Sequence, residues 1–246
     1  MERPIHTETI QIPSYANDKH NILTPSAFMD LSQQIAGKHS DLYGFGRDAL
    51  LKDGQVWIVS RIHIKFVRPT KWNDVIELST WHKGCEDGLF YRREYKAVNK
   101  KDGEVDALST ASWLLFNPEK RSLVRRNPLC SREETIHGEN AIEEPCERLK
   151  MPEGSKAEFA VGHTIRRSDI DRNGHANNAK YAIWSVDALP EGCMDREISD
   201  FKINFTKEVI LGDTVDIFIA KEDEDTYFVE GKSKGLQTFI SKIILI

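Results

Sequence analysis

Asp171, Asn173 and His175 stand two residues apart in the stretch SDIDRNGHANNAKYAIW, residues 168–184, and no other part of the chain gathers as much chemical potential. In extended backbone, side chains at i, i+2 and i+4 project the same way, so a carboxylate, an amide and an imidazole would share one space while Arg172 and Gly174 face away. Asn177 and Asn178 follow; this pair suits a helix cap and would leave free backbone N–H groups beside the imidazole. Such a set can stabilise negative charge on a carbonyl oxygen. Glu208 is the fourth candidate, expected on the strand that follows the helix, where the turn can lie against it. A carboxylate within reach of a histidine orients it and stabilises its imidazolium, as general-base catalysis requires. No Ser or Cys in the turn is placed as a nucleophile, so the attacking species is water, in a hydrolysis or in a dehydration.

Three plainer readings compete. An Asx-rich turn that only caps a helix would look similar. Asp169, Asp171, Asn173 and Gly174 also match the opening of an EF-hand calcium loop, but the twelfth position, which needs a bidentate carboxylate, is Lys180. Cys193 could pair with a histidine, yet Glu191, Asp195 and Glu197 around it would raise a thiol pKa rather than lower it.

The elements that must position these residues can be read from periodicity. Residues 5–13 alternate weakly, as a first strand. Thr24 as N-cap and Pro25 at the first helical position open a helix carrying Phe28, Leu31 and Ile35 at three-to-four spacing, and Gly44 and Gly46 mark its end. Ile62, Ile64 and Phe66 alternate with Arg61, His63 and Lys65, a strand with one buried face. Strands follow over residues 75–81, 89–98 and 107–116. Residues 117–156, rich in Pro, Arg and Glu, read as a connection with some short helix. The pattern then restarts, with a strand over 159–167, the Asp171 turn, a helix over 178–188, and strands from Ser199. SRIHIKF (60–66) matches SDFKINF (199–205) at a constant offset of 139 residues, which also carries Asp74 to Asp213, Ile76 to Val215 and Leu78 to Ile217. The chain is therefore a duplicated unit of one helix on an antiparallel sheet. The polar, titratable set occurs in the second copy alone, so one active site is expected and the first copy supplies shape.

A net charge of -5 argues against a general nucleic-acid binder. The basic clusters at Arg92-Arg93, between Arg121 and Arg126, and at Arg166-Arg167 read as solvated surface. The apolar runs are shorter than the roughly 20 residues of a membrane helix, so no membrane partner is expected. Four scattered cysteines without a C-x-x-C pattern read as reduced thiols, and with no visible leader the expected location is the cytoplasm.

On these residues the chain resembles the acyl-acyl-carrier-protein thioesterases of plastids and bacteria. Their D-x-N-x-H-x-N-N-x-x-Y signature reads here as Asp171, Asn173, His175, Asn177, Asn178 and Tyr181, and their R-R-E-C-type strand as Lys207-Glu208-Val209 with Asp213 beyond. Trp57, Arg61, Pro69, Trp72, Asp74, Trp81, Arg92-Arg93, Ser112-Trp113, Arg121 and Pro128 match landmarks of the first domain. The resemblance implies an α+β fold of two tandem hot dog domains, each a long helix wrapped by an antiparallel β-sheet. Residues 1–130 would form a non-catalytic domain with the acyl pocket, 131–155 a linker, and 156–246 the catalytic domain. It implies hydrolysis of fatty acyl thioesters on acyl carrier protein, ending fatty acid synthesis, with Asp171, Asn173, His175 and Glu208 as the catalytic residues and with no cofactor or metal. Plant members have Cys directly after the glutamate; Val209 here excludes a thiol mechanism at that position. An acidic carrier protein calls for a basic rim, which Arg166, Arg167, Arg172 and Lys180 could supply. Left open are an acyl-CoA thioesterase of the same fold, a non-catalytic acyl-binding module, and a homodimer of the two-domain chain.

Overall fold

The computed structural model describes residues 4–125 and 127–246. The first half runs β1 (Ile5–Gln11), α1 (Pro25–Leu42), α2 (Arg47–Lys52), β2 (Val56–Phe66), β3 (Val75–Glu86), β4 (Phe90–Asn99), β5 (Val105–Asn117) and the short β6 (Ser122–Val124). The second half runs β7 (Glu158–Thr164), α3 (Asn178–Asp187), β8 (Ile198–Phe205), β9 (Thr214–Lys221), β10 (Thr226–Ser233) and β11 (Leu236–Leu245). Among the described residues these strands form one antiparallel sheet in the order β1-β3-β4-β5-β2-β8-β11-β10-β9-β7, with β6 on β5. Each half is a helix wrapped by antiparallel strands, the hot dog arrangement.

α1 starts where the sequence places it, with the Thr24 hydroxyl accepting from the Ala27 amide at 3.2 Å and Pro25 in the first turn. α2 has no counterpart among the expected elements. Six residues are too short for a periodic signal, and it depends on Gly46, where a Cβ would strike the Asp41 side chain.

The repeated strands are each other's partners. β2 pairs with β8 through Arg61–Asn204, Ile62–Ile203, His63–Lys202, Ile64–Phe201 and Lys65–Asp200. Lys202 is the repeat equivalent of His63, so the internal two-fold axis passes between these two residues. Ile62, Ile64, Phe201 and Ile203 point to the helix-covered face and join one core that runs through both halves. α1 and α3 lie side by side on that face.

The stretch between the halves forms short 3-10 turns at Pro128–Ser131 and Glu133–Thr135, then crosses the opposite face of the sheet as an extended strap. Strand side chains hold its backbone. The Trp81 indole donates to the Glu139 carbonyl at 2.9 Å, Arg92 to Ile142 at 2.6 Å and Arg61 to Cys146 at 2.9 Å. Asn204 Oδ1 accepts from the Leu149 amide at 2.7 Å. Beneath it Glu94, 0% exposed, accepts from Thr110 Oγ at 2.8 Å and from the Ala141 amide at 2.9 Å, and pairs with Arg92 at 2.6 Å.

The Arg92-Arg93 pair is therefore not surface charge, being 8% and 5% exposed. Alternation sends Arg92 under the strap and Arg93 under α1, where it donates to His39 Nδ1 at 2.9 Å, Thr80 Oγ at 3.3 Å and Ser40 Oγ at 3.0 Å. Of the other basic clusters, Arg166 and Arg167 are exposed, and Arg126 lies outside the described residues.

Burial, reinforced by the Arg93 charge, pushes His39 down to about 3 and His82 down to about 4 from an ordinary 6.5. Both rings are neutral in the fold, while the unfolded chain takes up protons as pH drops below about 6.5. Stability is thus fully present above that value and falls by up to about 1.4 kcal/mol per pH unit for each ring down to pH of about 4. Urea unfolding followed between pH 7 and 5 should show this loss. In His82→Gln, the slope over that window should drop by roughly half.

Candidate active site

The stretch carrying Asp171, Asn173 and His175 is a closed turn rather than extended backbone. The Ile170–Ala176 bridge and the bond from the Asp171 amide to the His175 carbonyl, 2.9 Å, close its base. The Gly174 amide donates to the Asp171 carbonyl at 3.1 Å, and Gly174 takes φ +84, where a side chain would be strained. Asp171 and Asn173 meet through an Asx turn. The Asp171 carboxylate accepts from the Asn173 amide at 2.7 Å and from Asn173 Nδ2 at 3.2 Å. The expected proximity of Asp171 and Asn173 holds, with a different backbone behind it.

His175 reaches the fourth candidate, its Nε2 standing 3.2 Å from Glu208 Oε2. Glu208 does not lie on a strand. β8 ends at Phe205, and Glu208 sits in the loop before β9. Backbone bonds hold that loop: the Ala176 amide donates to the Val209 carbonyl at 2.9 Å, the Thr206 amide to Thr238 at 2.9 Å, and the Gly212 amide to Ile165 at 3.0 Å. Val209 is buried in the core, so the loop is pinned beside its glutamate. Tyr181 packs beneath, its hydroxyl against the Val209 backbone, and burial pushes its pKa up so that it stays protonated. The pair itself is open to water, with side chains 38% exposed at His175 and 56% at Glu208.

α3 begins at Asn178, capped by Asn177 Oδ1 accepting from the Ala179 amide at 3.0 Å. The EF-hand reading has no room. Asp169 accepts from His163 Nε2 at 3.1 Å and from the Arg166 amide at 2.8 Å, and the Lys180 ammonium stands 3.9 Å away. Burial works against the Asp169 charge, but those hydrogen bonds and Lys180 outweigh it and hold its carboxyl below the usual range. Cys193 is buried against the Tyr227 hydroxyl at 3.4 Å, remote from this role.

The first half contributes residues that the sequence did not single out. Arg47, at the start of α2, donates from Nε to Asn173 Oδ1 at 3.3 Å. Asp30 and Gln33, one turn apart on α1, accept from Asn177 Nδ2 at 3.2 Å and Asn178 Nδ2 at 3.3 Å. Burial raises the Asp30 pKa, opposed by Asn177 and Lys180. Their three-residue spacing on a helix already predicted was the available signal; for Arg47 there was none. Arg166, Arg167 and Arg172 are exposed around the turn and Lys180 is half-buried.

Asn177→Ala removes both the cap and the Asp30 contact. Urea denaturation should show a loss of about 1 kcal/mol, and Asn177→Ser, which can still cap, should recover most of it.

Comparison with known proteins gives the following. A model described as the acyl-ACP thioesterase N-terminal domain matches residues 4–128, and one described as the acyl-ACP thioesterase C-terminal domain matches residues 153–238. The chain is 25% identical over 226 residues to an Arabidopsis thaliana oleoyl-acyl carrier protein thioesterase, covering 86% of this chain and 62% of that one. It is 26% identical over 222 residues to a Gossypium hirsutum palmitoyl-acyl carrier protein thioesterase, covering 83% and 52%. It thus spans little more than half the length of these plant relatives. Among solved structures, an acyl-ACP thioesterase from Bacteroides thetaiotaomicron superposes with TM-score 0.89 at 24% identity, over 99% of this chain and 98% of that one. The 12:0-ACP thioesterase from Umbellularia californica gives TM-score 0.89 at 20% identity, over 100% and 98%.

Proposed function

This chain belongs to the acyl-acyl-carrier-protein thioesterase family, and from that premise we propose that it hydrolyses fatty acyl thioesters carried on acyl carrier protein, releasing the free fatty acid. The observation that carries the reading is the His175–Glu208 pair, brought to 3.2 Å from separate loops and left open to water. Asn173 and Asp171 lie in the same turn as His175, and α3 starts three residues after it.

In the proposed mechanism Glu208 takes a proton from a water molecule whose oxygen attacks the thioester carbonyl carbon. His175 holds the carboxylate in place. Asn173 Nδ2, which has a second N–H beyond the one given to Asp171, donates to the developing oxyanion, together with amides at the start of α3. Collapse of the tetrahedral intermediate breaks the C–S bond, and Glu208 returns the proton to the departing thiolate. Asp171 fixes the turn and Arg47 fixes the Asn173 carbonyl oxygen, which leaves the NH₂ end of that amide facing the substrate.

The exposed Arg166, Arg167 and Arg172 suit an acidic carrier protein. All four cysteines are free thiols, which suits the reducing cytoplasm as the place of action.

The test is hydrolysis of one acyl chain on acyl carrier protein and on coenzyme A. Glu208→Gln and His175→Ala should each lower kcat by about 10²- to 10⁴-fold with thermal unfolding unchanged; near-normal turnover in both would overturn the assignment. Arg166→Glu with Arg172→Glu should raise KM for acyl-acyl-carrier-protein; an unchanged KM would remove these arginines from carrier docking.

A further inference from the structure

The first half holds a main-chain copy of the candidate turn. At an offset of 153 residues, the stretch from Asp18 to Leu23 follows that from Asp171 to Ala176 bond for bond. The Asp18 amide donates to the Ile22 carbonyl at 2.9 Å and the Asn21 amide to the Asp18 carbonyl at 3.1 Å, the distances found for Asp171 to His175 and for Gly174 to Asp171. Asn21 takes φ +63 where Gly174 takes φ +84. The Asp18 carboxylate accepts from the His20 amide at 2.8 Å, as Asp171 accepts from the Asn173 amide at 2.7 Å. An Asn17–Leu23 bridge closes the base where Ile170–Ala176 does, and Thr24 caps α1 where Asn177 caps α3.

The loop that carries Glu208 is copied too, at the 139-residue offset of the strands. The Leu23 amide donates to the Thr70 carbonyl at 2.8 Å where Ala176 donates to Val209 at 2.9 Å, and Thr70 is buried as Val209 is. The Lys71 amide donates to the Asp74 carboxylate at 2.7 Å where Ile210 donates to Asp213 at 3.2 Å. Each turn also reaches across to the other half. Arg47, past the end of α1, holds Asn173; Asp195, past the end of α3, holds Lys19 at 2.7 Å and His20 at 3.2 Å.

Only side chains separate the two cradles. Asp18 matches Asp171, but His20 stands for Asn173, Ile22 for His175 and Pro69 for Glu208. The first copy therefore lacks the base, the imidazole that holds it and the amide for an oxyanion. Ile22 is half-buried and Pro69 exposed, as are His175 and Glu208. In the second half main-chain bonds set the places of His175 and Glu208, and the same bonds set positions 22 and 69 in the first.

We propose that the first half carries a disarmed second active site for acyl thioesters, its main-chain cradle kept and its chemistry lost through His20, Ile22 and Pro69 alone. The proposal rests on the thioesterase reading of the His175 turn. Rearmed, the site would hydrolyse a thioester by the same steps. A carboxylate takes a proton from water, the water oxygen bonds to the carbonyl carbon, the C–S bond breaks and the proton passes to the thiolate, giving acid and thiol.

The experiment uses the full chain with Glu208→Gln as parent and a short acyl thioester of N-acetylcysteamine as substrate. Adding His20→Asn, Ile22→His and Pro69→Glu should raise kcat/KM over the parent by roughly 10²-fold, the low end of what a positioned base contributes. The same set with Pro69→Gln in place of Pro69→Glu should stay at the parent's rate. NMR of the imidazoles reads the geometry without substrate. The ring introduced by Ile22→His should titrate at higher pH beside Pro69→Glu than beside Pro69→Gln, because a neighbouring carboxylate stabilises imidazolium. If the full set melts early, Ile22→His with Pro69→Glu alone goes through both readouts. Equal titration in the two variants would show that the cradle does not bring positions 22 and 69 together and would overturn the proposal. Raised titration with turnover at the parent's level would overturn the claim that three side chains alone disarm the site. A native chain that hydrolyses neither this thioester nor an acyl-acyl-carrier-protein would overturn the thioesterase reading, and the chemistry of the second site with it, while the titration would still report the copied geometry.

Discussion

The pairing of β2 with β8 is the constraint on which the rest depends. Alone, each half would end in a central strand with an unpaired edge, an invitation to aggregate. Joined at Arg61–Asn204 through Lys65–Asp200, the two edges satisfy each other, and the internal two-fold axis falls between His63 and Lys202. Cross-strand pairs are worth roughly 0.2–1 kcal/mol each, so the ladder alone is modest. Its larger effect is to merge Ile62, Ile64, Phe201 and Ile203 into one core and to set α1 against α3. That juxtaposition puts Asp30 and Gln33 at the cap of α3 and Arg47 at Asn173. The candidate turn belongs to the second half by sequence and to both halves by contact.

The strap is the second consequence of joining. A sheet covered by helices on one face still has another face, and here its charged and polar side chains would stand in water. The strap covers them, but an extended chain brings backbone groups that need partners. Arg61, Trp81, Arg92 and Asn204 supply these, one after another across both halves. Glu94 closes the set by accepting from strap amides while balancing the Arg92 charge. Arg93, one residue along and on the other face, has only neutral partners, and this is possible because His39 is held unprotonated.

Much of the architecture was legible because it is periodic. Period two in β2 and β8, the Thr24–Pro25 start of α1 and the Asn177 cap of α3 are local signals with local causes, and the offset of 139 residues ties the halves together. What escaped is tertiary. Arg92 and Arg93 read as surface because nothing in their neighbourhood tells that a strap lies over one and α1 over the other. Arg47 escaped because its partner, Asn173, is remote in sequence and close only through the α1–α3 contact. At the site, residue types were legible and backbone was not. Two-residue spacing suggested extended chain, whereas Asp171 folds the stretch over through an Asx turn and Gly174 completes it. Glu208 was placed on a strand because the repeat continues smoothly to Phe205; the ladder ends there, and the residues beyond pair with other loops.

That last difference bears on how the site can work. A glutamate on a central strand would be flanked by neighbours on its own face, and desolvation would act against its charge. On a loop held by main-chain bonds at Thr206, Val209 and Gly212, with the Val209 side chain as its apolar anchor, the carboxylate is fixed without being enclosed. The turn opposite is built in the same way, by the Asp171–His175 and Ala176–Val209 backbone bonds. Because the main chain does the positioning, the imidazole and the carboxylate carry little of the fold's stability and keep hydrogen-bonding capacity for a water molecule. Beneath α3 the Tyr181 ring packs against Trp184, Phe205 and Phe239, which closes that side. Water can therefore reach the His175–Glu208 pair from the solvent side.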